Sequence, residues 1–165
     1  MIEGISDISA EDIYFASEFG YTIKLLAVAK RNENNLELRV HPALLSKDKM
    51  IAKVDGVMNA ISVVGDQVGE SLYYGAGAGS RATASAVISD LIDIARKIKT
   101  PMLGYKDKGL DSGLKLLKSD EISSKFYLRL KVRDELGVIA KITNIMSANG
   151  VSIDSFLQKP NSNGG

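Results

Sequence analysis

The sequence predicts an α+β (α/β) fold in which a mixed sheet carries helices on one face. Two pairs of apolar, strand-like runs are each joined by turn-forming residues, at "NENN" and at "GDQVG". Helical runs with capping residues precede and follow these pairs. Near the C-terminus, one further strand, helix and strand follow each other within about 35 residues. The chain therefore reads as two small packed units.

The first predicted helix begins after Ser9. Asp12 stands three residues further on, which is the spacing of a capping box, and Gly20 ends the helix. The runs "YTIKLLAVAKR" and "LELRVHPALL" then predict a hairpin. The next run, "SKDKMIAKV", predicts a short helix capped by Ser46.

A second hairpin is predicted in "GVMNAISVVGDQVGESLYYGAGAG", and a long helix follows at residues 83–97. Basic residues at the end of this helix suit its dipole, and Pro101 ends it. One face of the helix is set by Ala86, Val87, Asp90, Leu91, Ile94 and Ala95.

The chain is expected to divide into residues 1–101, a linker at residues 102–125 with only local structure, and residues 126–165. The linker is rich in Lys, Asp, Gly and Ser. In the last part, residues 126–132 alternate as in a half-buried strand, and a helix is predicted at residues 138–148. A second strand is predicted at residues 151–156.

Composition narrows the possible chemistry. The net charge is +1, and 25% of the residues are charged, so no preference for nucleic acid or membrane surfaces follows. The absence of cysteine excludes disulfides, thiolate nucleophiles and cysteine metal sites, and a single histidine leaves little material for imidazole metal clusters. No metal site and no membrane span is expected, and the N-terminus lacks the pattern of a secretory signal.

A glycine-rich stretch between the second hairpin and the long helix is the most distinctive motif. Gly75, Gly77 and Gly79 alternate there, where backbone amides and the helix dipole favour a phosphate or a carboxylate. The pattern is G-x-G-x-G, which differs from the G-x-G-x-x-G of a dinucleotide fingerprint. From the residues alone, a purely structural turn and a ligand contact remain equally open.

Three runs resemble the second half of the catalytic region of homoserine dehydrogenases: "EGI" from Glu3, "GYTIKLLAVA" from Gly20 and "NAISVVGDQVGESLYYGAGAGSRATASAVISDLIDIAR" from Asn59. The resemblance covers nearly all of residues 2–98. It implies that the glycines at 75, 77 and 79 contact NADP or NAD through the backbone. It also implies a homodimer or higher homo-oligomer that interconverts L-homoserine and L-aspartate 4-semialdehyde. The composition is that of a globular cytosolic protein, so a cytoplasmic location is expected.

In homoserine dehydrogenases the dinucleotide-binding domain, the catalytic lysines, the acidic residues that hold homoserine and a sodium site precede the point that matches Met1. No catalytic residue is therefore assigned to this sequence. We expect the chain alone to lack dehydrogenase activity, because hydride transfer needs a positioned cofactor and a proton donor.

The C-terminal run "VRDELGVIAKITNIMSANGVSID" resembles the first half of an ACT domain, a small amino-acid-sensing module. Leu136 stands where the family commonly has proline. The resemblance implies that Asp134, Gly137 and Val138 bind an amino-acid effector such as threonine; a turn that only enters the helix is equally open. An alternative function is a non-catalytic amino-acid-binding regulatory protein that uses this unit. About half of the module is expected to be missing after Gly165.

Several further residues have plainer interpretations. Lys24 is expected to be paired or to extend along apolar surface, and His41 to lie at a strand end. Asp66 is expected to organise its turn. For Arg81, just past the glycines, a solvated residue at the helix start is favoured over an approach to a phosphate. Of Tyr73 and Tyr74, which alternate on a strand, at most one is expected to face the ligand of the glycine stretch, and the other is expected to pack in the core.

Overall fold

The computed structural model describes residues 1–96 and 113–159, and it divides the chain into two compact units, Met1–Tyr127 and Leu128–Gly165. In the first unit, strand β1 (Tyr21–Asn32) pairs antiparallel with strand β2 (Asn35–Ser46) along its whole length. Glu33 has a positive φ of 52° in the tight turn between them. The first predicted hairpin is therefore confirmed.

Helix α1 (Ala10–Glu18) has the capping box that the sequence predicts. The Asp12 amide donates to Ser9 Oγ at 3.2 Å, and the Ser9 amide donates to Asp12 Oδ2 at 2.9 Å. These two bonds satisfy backbone donors that the helix itself cannot pair. The helix lies against β1, and its Ala16 is buried.

The sheet around β2 is mixed, as predicted. Strand β5 (Lys115–Leu116) pairs parallel with the start of β2, where the Lys115 amide donates to the Asn34 carbonyl at 2.8 Å. Ile2 forms a parallel bridge to Val40 further along β2. Unpaired groups at a strand edge take such partners readily. Residues 115 and 116 thus make a long-range pairing within the predicted linker, of which residues 102–112 lie outside the described part.

A 3-10 turn at Met50–Lys53 replaces the predicted short helix. Its N-cap is Lys49, with no side-chain cap. The expectation that Ser46 caps a helix is wrong, because Ser46 is the last residue of β2 and pairs with Tyr21. The Ser46 Oγ accepts a hydrogen bond from the Asp48 amide at 3.4 Å, so this hydroxyl stabilises the turn that follows β2.

Strands β3 (Met58–Gly65) and β4 (Gly69–Ala76) form the second predicted hairpin as a separate two-stranded sheet. Helix α2 (Ser80–Ala95) follows, so it begins three residues before the predicted start at Thr83. Its N-cap is Gly79, whose carbonyl accepts the first helical bond, from Thr83, at 3.1 Å. The predicted end at Lys97 lies outside the described residues.

In the second unit, helix α3 (Val138–Ala148) has the predicted bounds. The predicted strands at residues 126–132 and 151–156 are not formed, since within the described ranges neither belongs to a ladder. Alternation of apolar side chains makes a segment suitable for a sheet, but a strand also needs a neighbour for its amides and carbonyls. No described residue provides that neighbour.

Much apolar surface is exposed. Helix α2 has no buried residue, and its large apolar residues are 44–73% exposed. The hairpin β3–β4 exposes a second set. We call these together the apolar surface; its members are Ile61, Val63, Val64, Val68, Tyr73, Tyr74, Val87, Ile88, Leu91, Ile92 and Ile94. Across the described residues, no helix is both long enough and apolar enough to cross a bilayer.

Candidate functional site

The glycine loop, defined as residues 75–79, leads from the end of β4 directly into α2. Gly75 is still paired with Asn59 of β3, whereas Gly79 is the N-cap of the 16-residue helix. Gly79 has φ 110° and ψ 151°, a conformation that only glycine adopts without strain. The loop therefore ends where the partial positive charge of a helix N-terminus is strongest.

Two contacts hold the middle of this loop. The Val57 carbonyl accepts from the amides of Gly77 at 3.3 Å and Ala78 at 3.5 Å, which carries the hairpin pairing one step past β4. The side chain of Asn59 lies over Gly77. A Cβ built on Gly77 would overlap Asn59 Nδ2 and lie 2.7 Å from its Cγ.

The other two glycines of the loop are open. A Cβ built on Gly75 or on Gly79 would meet nothing within 4 Å. No protein side chain in the described part fills the space beside these two residues, so another molecule can approach their backbone. Gly77 thus has a structural reason to lack a side chain, while Gly75 lies beside free space.

Lys24 supports the segment that enters β3. Its Nζ donates to the Val54 carbonyl at 2.7 Å and to Asp55 Oδ1 at 2.5 Å, so the paired interpretation of this lysine is confirmed. The side chain is 24% exposed, whereas that of Asp55 is 80% exposed. These bonds anchor the residues immediately before Val57, and therefore the acceptor for the loop amides.

Two open clefts flank the start of β3, and Asn59 and Ala60 line both of them. The first, of about 210 Å³, lies against β1 and the 3-10 turn and includes Lys24. The second, of about 280 Å³, reaches the glycine loop and is lined by Asn59, Ala60, Ile61, Tyr73, Tyr74, Gly75 and Ala76. Among the described residues that line the two clefts, the paired lysine is the only charged one.

Replacing Lys24 by methionine is expected to lower the free energy of unfolding of the full chain by about 1 kcal/mol, because a carbonyl bond and a solvent-screened ion pair are lost. Urea unfolding measures the change. Lys30→Met is the matched control, since Lys30 lies on the same strand and its ammonium group makes no hydrogen bond or ion pair among the described residues. Equal unfolding midpoints for the two variants would contradict the supporting role of Lys24.

The structure corrects the interpretation of the tyrosines. Tyr73 is 66% exposed and Tyr74 57% exposed, so neither packs in a core, and the expected division between them is wrong. Both line the cleft beside the loop. Asp66 lies in the β3–β4 turn, but its carboxylate makes no hydrogen bond in the described part of the chain. The expected turn-organising contacts are therefore not found among the described residues.

His41 lies within β2, paired with Leu26, and not at a strand end as expected. The strand continues through Pro42 because β1 pairs with it up to Ser46. The Nδ1 atom of His41 lies 2.8 Å from the Pro42 carbonyl oxygen. In the described residues, no group of three or more histidine, aspartate or glutamate residues could hold a metal ion.

The remaining predicted residues lie at the starts of helices. Arg81 is exposed in the first turn of α2 and forms no ion pair in the described chain, which agrees with a solvated arginine. Gly137 is the N-cap of α3 with φ 85°, and Val138 is its first residue. Asp134 is exposed three residues before Gly137. The binding role of these C-terminal residues stays a prediction.

Sequence reasoning missed the residues that hold the loop, namely Val57, Asn59 and Asp55. Val57 acts through its carbonyl, for which no side-chain signal exists. In "VMNAISV", Asn59 is a single amide near the start of an otherwise apolar run that precedes Ser62. That isolated polar residue was the one signal in the sequence that could have indicated its role.

Comparison with known proteins identifies the family. A family model described as homoserine dehydrogenase matches residues 1–92, which is more than half of the chain. The chain belongs to the homoserine dehydrogenase family. A homoserine dehydrogenase of Helicobacter pylori is 53% identical over 159 residues, and that of Neisseria gonorrhoeae is 44% identical over 164 residues. Both alignments cover 96% of this chain.

A solved structure agrees with this assignment. The homoserine dehydrogenase from Thiobacillus denitrificans superposes with a TM-score of 0.66 and 42% identity, covering 95% of this chain and 37% of that one. The chain spans 37% of the Helicobacter relative and 38% of the Neisseria relative. These relatives all carry an enzyme's name, so the alternative of a non-catalytic regulatory protein finds no support.

Proposed function

We propose that this chain contributes the C-terminal part of the catalytic and dimerisation domain of a homoserine dehydrogenase. That enzyme would interconvert L-homoserine and L-aspartate 4-semialdehyde with NAD(P), on the route to threonine, methionine and isoleucine. Membership of the family supports the reaction class. The observation that carries the proposal is the glycine loop, which combines an open backbone with a helix N-terminus. The preference between NADP and NAD and the cytoplasmic location stay predictions.

The loop fits a nucleotide cofactor. Space for a missing Cβ is free at Gly75 and Gly79, so a flat or anionic group can approach the backbone closely. The α2 N-terminus favours negative charge, as a cofactor phosphate would present, and also the partial negative charge of a carboxamide oxygen. Tyr73 and Tyr74 add exposed aromatic surface along the same cleft.

In this reaction, NAD(P) carries the hydride when it is bound. The residues of this chain would bind and orient it: Gly75, Gly77 and Gly79 supply a close backbone surface, and the hydrogen bonds to Val57 hold that surface in place. A loop fixed before the ligand arrives costs less ordering entropy on binding. The contribution of this segment to the reaction is therefore positioning.

The apolar surface supports a homo-oligomeric enzyme. An isolated two-stranded hairpin is only marginally stable in water, and β3–β4 exposes apolar side chains together with α2. Covering this surface in a dimer or higher oligomer would remove the apolar area from water. Sedimentation of the complete enzyme is expected to show no monomer at micromolar concentration, and a stable monomer would contradict this part of the proposal.

A chimaeric enzyme tests the function. In it, residues 1–165 replace the matching segment of the Helicobacter pylori homoserine dehydrogenase, which is 53% identical. The purified chimaera is expected to oxidise NADPH with aspartate semialdehyde at a rate comparable to that of the parent enzyme. The parent with this segment deleted is the inactive control. A chimaera that folds with the parent's melting temperature but lacks activity would contradict the proposal.

The second unit is proposed to bind an amino-acid effector, with threonine as the first candidate. Its support is the resemblance to an ACT domain together with the exposed loop of Asp134 and the start of α3 at Gly137 and Val138. We expect Gly137→Val to weaken threonine inhibition of the chimaera by about tenfold, because φ 85° strains a β-branched residue. Gly150→Val is the matched control, with φ 70° after the other end of the same helix. Unchanged inhibition in both variants would exclude effector binding at this loop.

A further inference from the structure

Asn59 stands out because its side chain occupies the space that a side chain at Gly77 would need. A Cβ built on Gly77 would overlap Asn59 Nδ2 and would lie 2.7 Å from Cγ and 3.3 Å from Cβ of Asn59. Those three atoms of Asn59 are the nearest non-neighbouring atoms to that position. The Asn59 carboxamide therefore fits against Gly77 because Gly77 has no side chain.

The strand register explains this contact. Asn59 pairs directly with Gly75 across the hairpin, so Gly77 is its diagonal neighbour two residues further along. Side chains at such positions reach each other when one of them is long enough. A Cβ built on Gly75, directly opposite Asn59, would meet nothing within 4 Å, so the carboxamide lies over Gly77 alone.

The carboxamide of Asn59 makes no hydrogen bond within the described residues. It is exposed, and it lies where the two clefts meet. Packing over Gly77 is therefore the contact that this polar group makes with the loop. The Asn59 side chain covers the loop where a Gly77 side chain would lie. The Val57 carbonyl accepts hydrogen bonds from the Gly77 and Ala78 amides.

We propose that Asn59 is a positioning residue for the glycine loop, and that its carboxamide fixes the path of residues 75–79 against the nucleotide cofactor. This inference rests on the proposed function of the loop. Asn59 acts through Gly77: without the carboxamide, the loop samples more conformations and binds the cofactor less well. With a methyl group added at Gly77, the carboxamide is displaced from its place over Gly77, and the loop loses the same contact.

A double-mutant cycle in the chimaeric enzyme tests the proposal. Asn59→Ala and Gly77→Ala are each expected to raise the cofactor KM by about tenfold or more, with a smaller effect on kcat at saturating cofactor. In the double variant, the methyl group at position 77 takes the place of the carboxamide. We expect the cofactor KM of the double variant to be at least about fivefold lower than the product of the two single fold-changes predicts, because the effects of residues in contact are not additive.

Gly75→Ala is the matched control, since a Cβ there meets nothing within 4 Å. The change that Gly75→Ala causes in the cofactor KM is expected to be the same with and without the Asn59→Ala substitution. Thermal unfolding of the same variants without ligand gives a readout that does not depend on activity, and coupling between positions 59 and 77 is expected there too. Additive effects on both KM and melting temperature would overturn the proposal. Coupling in melting temperature with an unchanged cofactor KM would overturn the cofactor role of the loop.

Discussion

Gly79→Val is expected to raise the cofactor KM of the chimaeric enzyme by at least about tenfold, or to lower kcat by as much, while the oligomer stays intact. Gly79 has φ 110° and ψ 151°, and a β-branched residue there costs about 1–3 kcal/mol of strain. The strain is relieved only if the loop rotates away from its present path. Because α2 starts at the next residue, such a rotation also redirects the helix N-terminus. Steady-state kinetics with varied NADPH measure the change.

Gly20→Val separates the loop effect from general strain. Gly20 also has a positive φ, of 79°, and also has free space around its Cα, but it lies between α1 and β1. We expect Gly20→Val to lower the melting temperature without a selective effect on the cofactor KM. If Gly79→Val left KM and kcat at wild-type values, the loop would have a purely structural role, and the ligand contact of Gly75, Gly77 and Gly79 would be excluded.

Hydrogen exchange in the full chain is expected to differ sharply between its two ends. The β1–β2 ladder has twelve residue pairs, in which alternate pairs exchange amide hydrogen bonds, whereas the described residues 126–135 and 151–158 belong to no ladder. We expect protection at least about a hundredfold greater in β1 and β2, because exchange follows the local free energy of opening. Mass spectrometry of peptic fragments measures this ratio. Limited proteolysis is expected to cut first after Lys125.

Helix α3 is the internal reference for this experiment. Its amides have intrahelical partners, but the described helix has no buried residue, and eleven residues are short for an isolated helix. We therefore expect protection in α3 to be intermediate. A small unit with so little burial seldom offsets its chain entropy without a partner. Slow exchange across residues 126–132 and 151–156 in a monomeric sample would contradict this expectation and would show a strand pairing that the structure does not contain.

Local features of the fold were predictable because their determinants are close together in the chain. The capping box of Ser9 and Asp12 needs only a spacing of three residues. The two hairpins need only apolar runs joined by turn-forming residues. Helix α3 was predicted with its observed bounds, since its apolar period and the glycines at either end are local signals. The glycine loop was identified for the same reason, together with the family that it resembles.

Features that depend on distant partners were not predictable from such signals. The segments 126–132 and 151–156 alternate as strands do, yet alternation does not supply the neighbouring strand on which a ladder depends. Conversely, residues 115 and 116 have a linker's composition but pair with β2, because the edge of β2 offers unpaired backbone groups. His41 was placed at a strand end from its neighbour Pro42, although pairing with β1 carries β2 four residues beyond that proline.

In the candidate site, too, some residues were predictable from the sequence and others only from the folded chain. Sequence pattern alone identified Gly75, Gly77 and Gly79, since alternating glycines are recognisable without coordinates. Only the register of β3 against β4 placed Asn59 over Gly77, and only the folded backbone brought the Val57 carbonyl to the loop amides. Local conformation is set by neighbouring residues, whereas contacts between residues 18 or more positions apart exist only after the chain has closed a hairpin between them.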